Sequence, residues 1–251
     1  MRSMSVSARV CVAACVWLAA STNAFGQAPA APPPGDWEGS GGAGVSLTSG
    51  NSDTVNFNLA LDLTHDPMTR NVMKFKALYL RGEQDDEIVV HRTTLGFRDQ
   101  YALTSRMFVF GQIDYLRDTF KLIDYLVAPT GGLGYKVVDT EATKFDVTAG
   151  AGAVWEKNPD IDVRTDVAIT AGESLQHRLS DTALLKHAVT ALWKADDFED
   201  GLYTISVGVA TDISPRVQLT FDVVDTYKNL PPTPETKKND VAIVTAIAAK
   251  F

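Results

Sequence analysis

Asp240-Val-Ala-Ile-Val-Thr-Ala-Ile-Ala-Ala-Lys-Phe251 closes the chain, and its reading decides the fold. Alternate positions Val241, Ile243, Thr245, Ile247, Ala249 and Phe251 form one apolar to weakly polar face, which is the period of a β-strand. A soluble protein rarely ends on such a strand. A membrane β-barrel needs one, because every backbone donor and acceptor in hydrocarbon must be paired and only a closed sheet has no edge. Phe251 is then expected at the interfacial aromatic girdle, as the assembly signal met by the barrel-assembly machinery and by outer-membrane lipid.

The amino-terminal segment agrees with that reading. Arg2 and Arg9 flank the start of an apolar run from Val10 to Ala20, with small residues around Ala24 and Gly26, so residues 1–26 are read as a secretory signal. A retained anchor and a lipoprotein signal at Cys15 compete with it. Against them, about 11 apolar residues are too few to span a bilayer, and the run continues past Cys15. Cys11 and Cys15 are the two cysteines, so a processed chain would hold neither disulfides nor cysteine metal sites. Losing Arg2 and Arg9 makes the formal charge of -8 still more negative, which argues against nucleic acid as a partner. Residues 27–36 form a Pro/Ala-rich linker that cannot join a sheet, and one domain is expected over 37–251. That domain has no run of 18 apolar residues. Any membrane role must come from strands.

From Thr54 to Thr64, Val55, Phe57, Leu59, Leu61 and Leu63 interleave with Asn56, Asn58, Ala60 and Asp62, a period of two with a greasy outer face. Met73 to Tyr79 and Phe145 to Trp155 repeat it. The pattern predicts twelve antiparallel strands, at about 37–48, 54–65, 71–83, 88–102, 107–118, 123–138, 144–156, 164–178, 183–195, 202–212, 216–227 and 240–251. The even number returns both termini to one side, as in a single-chain outer-membrane barrel. Turns on that side are short, and three share a Leu/Ile-Ser/Thr pattern: Leu103-Thr-Ser-Arg, Leu179-Ser-Asp-Thr and Ile213-Ser-Pro-Arg. The opposite connections, 83–87, 157–163, 196–201 and 228–239, are generally longer and more acidic. A soluble lipocalin-like barrel would bury the apolar face; here the other face mixes Gly, Thr and Asn with both charge signs, so no dry core is expected inside.

Several of these runs resemble a known family. Val45-Ser-Leu-Thr-Ser-Gly-Asn-Ser-Asp-Thr, the strand Asn56-Phe-Asn-Leu-Ala-Leu-Asp-Leu, Ile123-Asp-Tyr through Gly131-Gly-Leu-Gly-Tyr135 to Asp139-Thr-Glu, and Leu179-Ser-Asp-Thr are similar to the salt-induced outer membrane proteins, also called domain of unknown function 481. The resemblance spans Trp37 to Phe251. It implies a β-barrel in the outer membrane of a Gram-negative bacterium and carries no reaction or solute. The chain departs from the family in its alanine-rich last strand and in Pro129, whose missing amide makes a bulge plausible.

The residues assign no catalytic, cofactor or metal site. His65 and His91 fall in a turn and near a strand end, and Ser174 and His177 fall on opposite faces of one strand. Asp85-Asp86-Glu87 and Asp196-Asp197-Phe-Glu199-Asp200 lack the oxygen spacing of a calcium loop and read as solvated rim charge. The inward register collects Lys74, Lys76, Arg92, Arg98, Lys136, Arg164, Lys186 and Lys194 with Asp62, Asp114, Asp146, Glu156, Asp166 and Asp222. Opposite charges sharing one lumen should pair and obstruct it. Lys74, Arg98, Asp114, Lys136, Asp166 and Lys186 are the candidate lumen charges, and neutralising Lys136 together with Arg98 is expected to enlarge or destabilise an open state. The expected function is a non-enzymatic barrel, structural or a narrow, mostly closed pore. A lipid-active barrel enzyme and a soluble periplasmic ligand carrier are the alternatives.

One patch breaks the outward pattern. Glu173 and His177 on the eighth strand and His187 on the ninth face out, with Glu173 diagonal to His187 if the turn centres near Asp181. A charge facing lipid at mid-bilayer costs up to ~2 to 4 kcal/mol, less for Glu and less near the interface. Three readings stay open: headgroup level, a bulge at Gly172 that changes the register, or a seam covered by a second barrel or a periplasmic partner.

Overall fold

The computed structural model describes residues 37–49, 54–84 and 87–251, with side chains except at 54, 83, 84, 87–90 and 120. The expected signal, the linker, both cysteines and Asp85-Asp86 lie outside the described residues. Twelve strands follow in order: β1 (Trp37–Ser49), β2 (Thr54–His65), β3 (Asn71–Gln84), β4 (Glu87–Ala102), β5 (Met107–Asp118), β6 (Ile123–Asp139), β7 (Thr143–Lys157), β8 (Arg164–Arg178), β9 (Ala183–Lys194), β10 (Asp197–Ser214), β11 (Val217–Lys228) and β12 (Asn239–Lys250). Each pairs antiparallel with the next, and β1 pairs with β12 to close the barrel. The only helical element among the described residues is a 3-10 turn, Thr119–Lys121.

The closing seam explains the last strand. Gly41 faces Ala249, Ala43 faces Ile247 and Val45 faces Thr245. Phe251 lies just past β12, yet its backbone exchanges two hydrogen bonds with Gly39, at 2.9 and 3.1 Å. Its ring is exposed. Deleting Phe251 should therefore remove both a ladder rung and the terminal aromatic, and lower the folded yield. The fraction of protein with compact, heat-modifiable gel mobility reads this, and an unchanged fraction would show that the rung is dispensable.

Parity holds around the barrel. Val55 is 66% exposed and Ile247 61%, while their inward neighbours Asn56 and Ala246 are 2% and 3% exposed. Outward aromatics mark the edges of the apolar wall. Tyr125 and Tyr135 on β6, and Phe145 and Trp155 on β7, are each ten positions apart. At about 3.3 Å per residue and a tilt near 40° this is about 25 Å of height, the width of the apolar band of an outer-membrane barrel.

The two ends differ. At the terminal end, where β1 begins and β12 ends, the Leu/Ile-Ser/Thr turns share one device: the hydroxyl accepts backbone amides just ahead of it. Thr104 takes Arg106 and Met107 at 3.2 and 2.9 Å, Ser180 takes Thr182 and Ala183 at 3.3 and 3.1 Å, and Ser214 takes Arg216 at 3.4 Å. The loop end carries the longer connections 158–163 and 229–238.

Three expectations are corrected. Pro129 forms no bulge: it sits opposite Ile113, and the register to β7 runs unshifted from Val127↔Trp155 to Thr130↔Gly152, with only the ladder rungs between them missing. Gly172 forms no bulge either, since its pairing with Thr148 and Thr190 continues the register of its neighbours. The segment expected as the acidic rim loop 196–201 is mostly strand: β10 begins at Asp197, and a register shift between Asp197 and Gly201 folds Asp200 inward, where it is 4% exposed.

Candidate functional site

The lumen is the candidate site, and charged side chains pair across its loop end. Glu156 on β7 is the hub. Its two oxygens take Lys194 Nζ and Lys228 Nζ, each at 2.8 Å, and Oε1 also accepts from Asn158 Nδ2 at 3.2 Å. Asp200 binds the same two lysines at 2.6 and 3.4 Å and draws in Arg164 at 3.6 Å, while Asp166 lies 3.7 Å from Lys194. Glu156, Lys194, Lys228 and Asp200 are all buried.

A second set of contacts crosses the mouth. Arg92 on β4 donates to the Thr226 hydroxyl on β11 at 2.7 Å and pairs with Asp118 at 3.5 Å. Lys121, from the 3-10 turn between β5 and β6, reaches Asp240 at 2.8 Å and the Lys238 carbonyl at 2.6 Å. Since β6 and β12 lie on opposite sides of the strand ring, this strap spans the opening. Leu122, with φ 52°, turns the chain back from the strap into β6, and its carbonyl is held by Asn158 at 2.9 Å. Burial pulls the Lys121 ammonium below its ordinary pKa, against the hydrogen bond and charge of Asp240, which pull it up. The strap is thus held at a desolvation cost.

Beneath the charges lies a dry layer. Leu116, Ile123, Leu126, Ala128, Val154 and Ala168 form one buried cluster, and Leu80, Ala242 and Val244 form another. The expectation of a lumen without a dry core is therefore overturned for the loop half. The β1 and β12 backbones approach closely on the inner face: a Cβ on Gly44 would fall 1.8 Å from the Thr245 carbonyl oxygen.

Toward the terminal end the lumen opens into a vestibule of about 540 Å³, lined among others by Arg98, Gln112, Asp114, Thr170, Lys186 and Thr204. Asp62 there faces Lys186 of β9 at 3.9 Å and Lys76 of β3 at 4.0 Å, with all three side chains between 37% and 68% exposed. Such solvated pairs are weak. Arg98 stacks 4.1 Å above the Phe110 ring. Space for the aromatics comes from Gly134, where a Cβ would strike the Phe108 ring.

Of the candidate lumen charges, Asp166 joins the loop-end cluster. Lys74, Arg98, Lys136 and Lys186 belong to the terminal half, Asp114 pairs with Ala128 at the level of the dry layer, and Lys136 is held by Asp139 at 2.8 Å. Neither Lys136 nor Arg98 takes part in the contacts that cross the loop end. Sequence parity could have found Asp118, Lys228 and Asp240, which extend inward-facing alternation by one step. Nothing in the pattern announces Asp200, delivered by a bulge, or Lys121, which lies outside any strand.

The histidines are spread over separate contacts. His65 stacks on Trp37, and His91 meets the edge of Tyr79. His177 Nδ1 is 2.8 Å from the Thr143 hydroxyl, on the face opposite Ser174, so the two do not meet. His187 Nε2 lies 3.0 Å from Glu173 Oε1. Glu173 faces Val147 and Leu175 faces His187, which gives the diagonal arrangement. His177 stands apart from that pair. Val147 is one outward step from Phe145 on β7, so the pair sits about 5 Å inside the terminal-end aromatic girdle. At that depth a charge costs little. Cysteines placed at Glu173 and His187 should thus react with water-soluble thiol reagents faster than one at Ile169. Equal, slow reaction at all three would instead indicate cover by lipid or protein. Among the described residues no group of His, Cys, Asp and Glu is arranged to hold a metal ion.

A family model described as "Protein of unknown function, DUF481" matches residues 41–251. No curated protein matches the chain in sequence. Among solved structures, the NanC porin is similar in fold, with a TM-score of 0.57 at 8% identity over 84% of this chain and 100% of that one. The COG4313 outer membrane channel from Pseudomonas putida F1 gives 0.51 at 13% identity, covering 92% and 100%. At these identities the likeness is one of outer-membrane-type barrel fold.

Proposed function

The chain belongs to the DUF481 family, and from that premise and the lumen's geometry we propose a non-enzymatic barrel of the Gram-negative outer membrane that forms a narrow pore held shut at its loop end. The observation that carries this is the pair of cross-lumen contacts, Lys228 to Glu156 and Lys121 to Asp240, both at 2.8 Å. The apolar wall and its aromatic edges support membrane insertion and weigh against a soluble carrier, which would expose that wall to water. The loop end then faces the exterior, and the vestibule opens to the periplasm.

Planar-bilayer recording tests the pore. The unmodified protein should give small, rare openings with a weak cation preference, because exposed Asp160, Asp162, Asp196, Asp197 and Glu199 crowd the loop-end rim and raise local cation concentration until salt screens them. Large, stable, anion-selective channels would contradict the proposal. A link to salt or envelope stress, suggested by the family resemblance, would need a trigger other than screening of the lock, since buried pairs are screened little. The enzyme alternative would be favoured by release of fatty acid that depends on Ser174 or His177.

A further inference from the structure

We propose that the outer wall of β3 to β5 seats, at its loop end, the phosphorylated glycolipid of the outer leaflet, lipid A, with a phosphate on Arg81, His91 and Arg117 and an acyl chain in the groove beneath them. Two identical tripeptides mark the place: Tyr79-Leu80-Arg81 on β3 and Tyr115-Leu116-Arg117 on β5. Both strands run toward the loops, and in both the tyrosine and the arginine face out while the leucine faces in and is buried. Tyr115 is in register with the girdle residue Trp155 through Val127. Each arginine thus stands one outward step, about 5 Å, beyond an interfacial tyrosine, where lipid phosphates lie.

The register joins these residues into rows across the outer face. Leu61, Ala77 and Leu95 lie side by side. The next row toward the loops is Leu59, Tyr79, Thr93 and Arg117, and above it come Phe57, Arg81 and His91. Ala77, small between two leucines, leaves a shallow apolar groove of about 310 Å³, lined among others by Leu59, Leu61, Ala77, Tyr79, Thr93 and Leu95. Tyr79 and Thr93 are its upper edge, so Arg117, the partner of Thr93, together with Arg81 and His91 one outward step higher, caps it with nitrogen donors. The His91 ring meets the Tyr79 ring edge-on at 5.6 Å, and its backbone amide donates to the Thr119 hydroxyl at 3.0 Å, which holds it at the rim.

Arg81 and Arg117 are exposed, and the Arg117 guanidinium forms no ion pair or hydrogen bond among the described residues. By strand spacing and rise their backbones stand ~12 Å apart, a gap that two guanidinium side chains close around one phosphate, each offering a fork of parallel N–H donors. His91 supplies a ring N–H between them. An acyl chain alone would fill the groove without meeting the cap, and free phosphate would meet the cap without filling the groove. An amphiphile with a phosphate above a chain occupies both. The inference rests on the outer-membrane reading with the loop end outward, and is independent of whether the lumen conducts.

Native mass spectrometry of the full-length barrel purified in detergent tests it, with lipid A, dephosphorylated lipid A, phosphatidylglycerol and inorganic phosphate as probes. Lipid A should be retained saturably and more tightly than the other three. Arg117→Gln should weaken its retention about tenfold or more, the usual effect of losing charge-assisted hydrogen bonds, and Ala77→Phe, which fills the groove, should weaken it as well. Lys157→Gln, which removes a loop-end charge from the outer face of β7, should leave it unchanged. Heat-modifiable mobility confirms that each variant is folded. Unchanged retention in Arg117→Gln or in Ala77→Phe would overturn the proposal, and so would equal retention of the dephosphorylated lipid, displacement of lipid A by an equal concentration of inorganic phosphate, or tighter retention of phosphatidylglycerol. None of these readouts requires passage through the lumen, so their failure leaves the closed pore standing, whereas failure of the closure shows in conductance and labelling and leaves lipid retention as it is.

Discussion

Glu156→Gln should convert a mostly silent barrel into one that opens often. Glu156 is the shared carboxylate of two buried ammonium groups, each 2.8 Å away. An amide of the same shape keeps the packing but removes the charge, leaving Lys194 and Lys228 to share Asp200. Breaking a buried pair from one side typically costs about 3 to 5 kcal/mol, because the remaining charge is left without compensation. Both stability and closure should suffer, read as a lower unfolding midpoint and a higher open probability in planar bilayers. Adding Lys228→Gln should recover part of both, since it removes the surplus charge, and the non-additivity of the double variant measures the coupling. If Glu156→Gln conducts like the unmodified protein, the hub does not hold the pore shut.

A larger loss is expected from Gly44→Val. Gly44 faces inward on β1 where it pairs with Ala246, and a Cβ there would fall 1.8 Å from the Thr245 oxygen and 2.6 Å from the Ala246 Cα. Both obstacles are backbone, so no side-chain rotation relieves them, and they lie on the one seam that converts an open sheet into a barrel. Without closure the edges of β1 and β12 stay unpaired in hydrocarbon, where each orphan group costs several kcal/mol. The compact, heat-modifiable form should disappear. Gly41→Ala is the control, since its Cβ meets nothing nearer than 3.5 Å, from the flexible Leu61 side chain; a normal compact band for Gly44→Val would show that the seam can relax.

These two sites also show what was legible in the residues alone. Parity is a one-dimensional signal, so the strands, the outward wall and the inward identity of Glu156, Lys194 and Arg92 could be read directly. The partner choices could not. Lys228 closes on Glu156 from four strands away around the ring, a pairing that alternation along single strands does not encode. Asp200 was hidden by its bulge, which breaks the alternation the reading depends on. Lys121 was hidden because a connection has no period at all. The dry layer of Leu116, Leu126 and Val154 has in sequence the same alternation as any inward position, so nothing marks it as a packed layer.

Closure of the loop end is tested by side-specific labelling of a cysteine beneath the Glu156 and Lys121 contacts. Thr170 and Thr204 both line the vestibule, and the described residues contain no cysteine to compete. In intact cells, Thr170→Cys or Thr204→Cys should resist a bulky, membrane-impermeant thiol reagent added outside, and should react readily once the periplasm is opened; adding Glu156→Gln should restore reaction from outside. Rapid labelling of either cysteine in intact cells with Glu156 in place would show that the lumen is open to the exterior, and would contradict closure at the loop end.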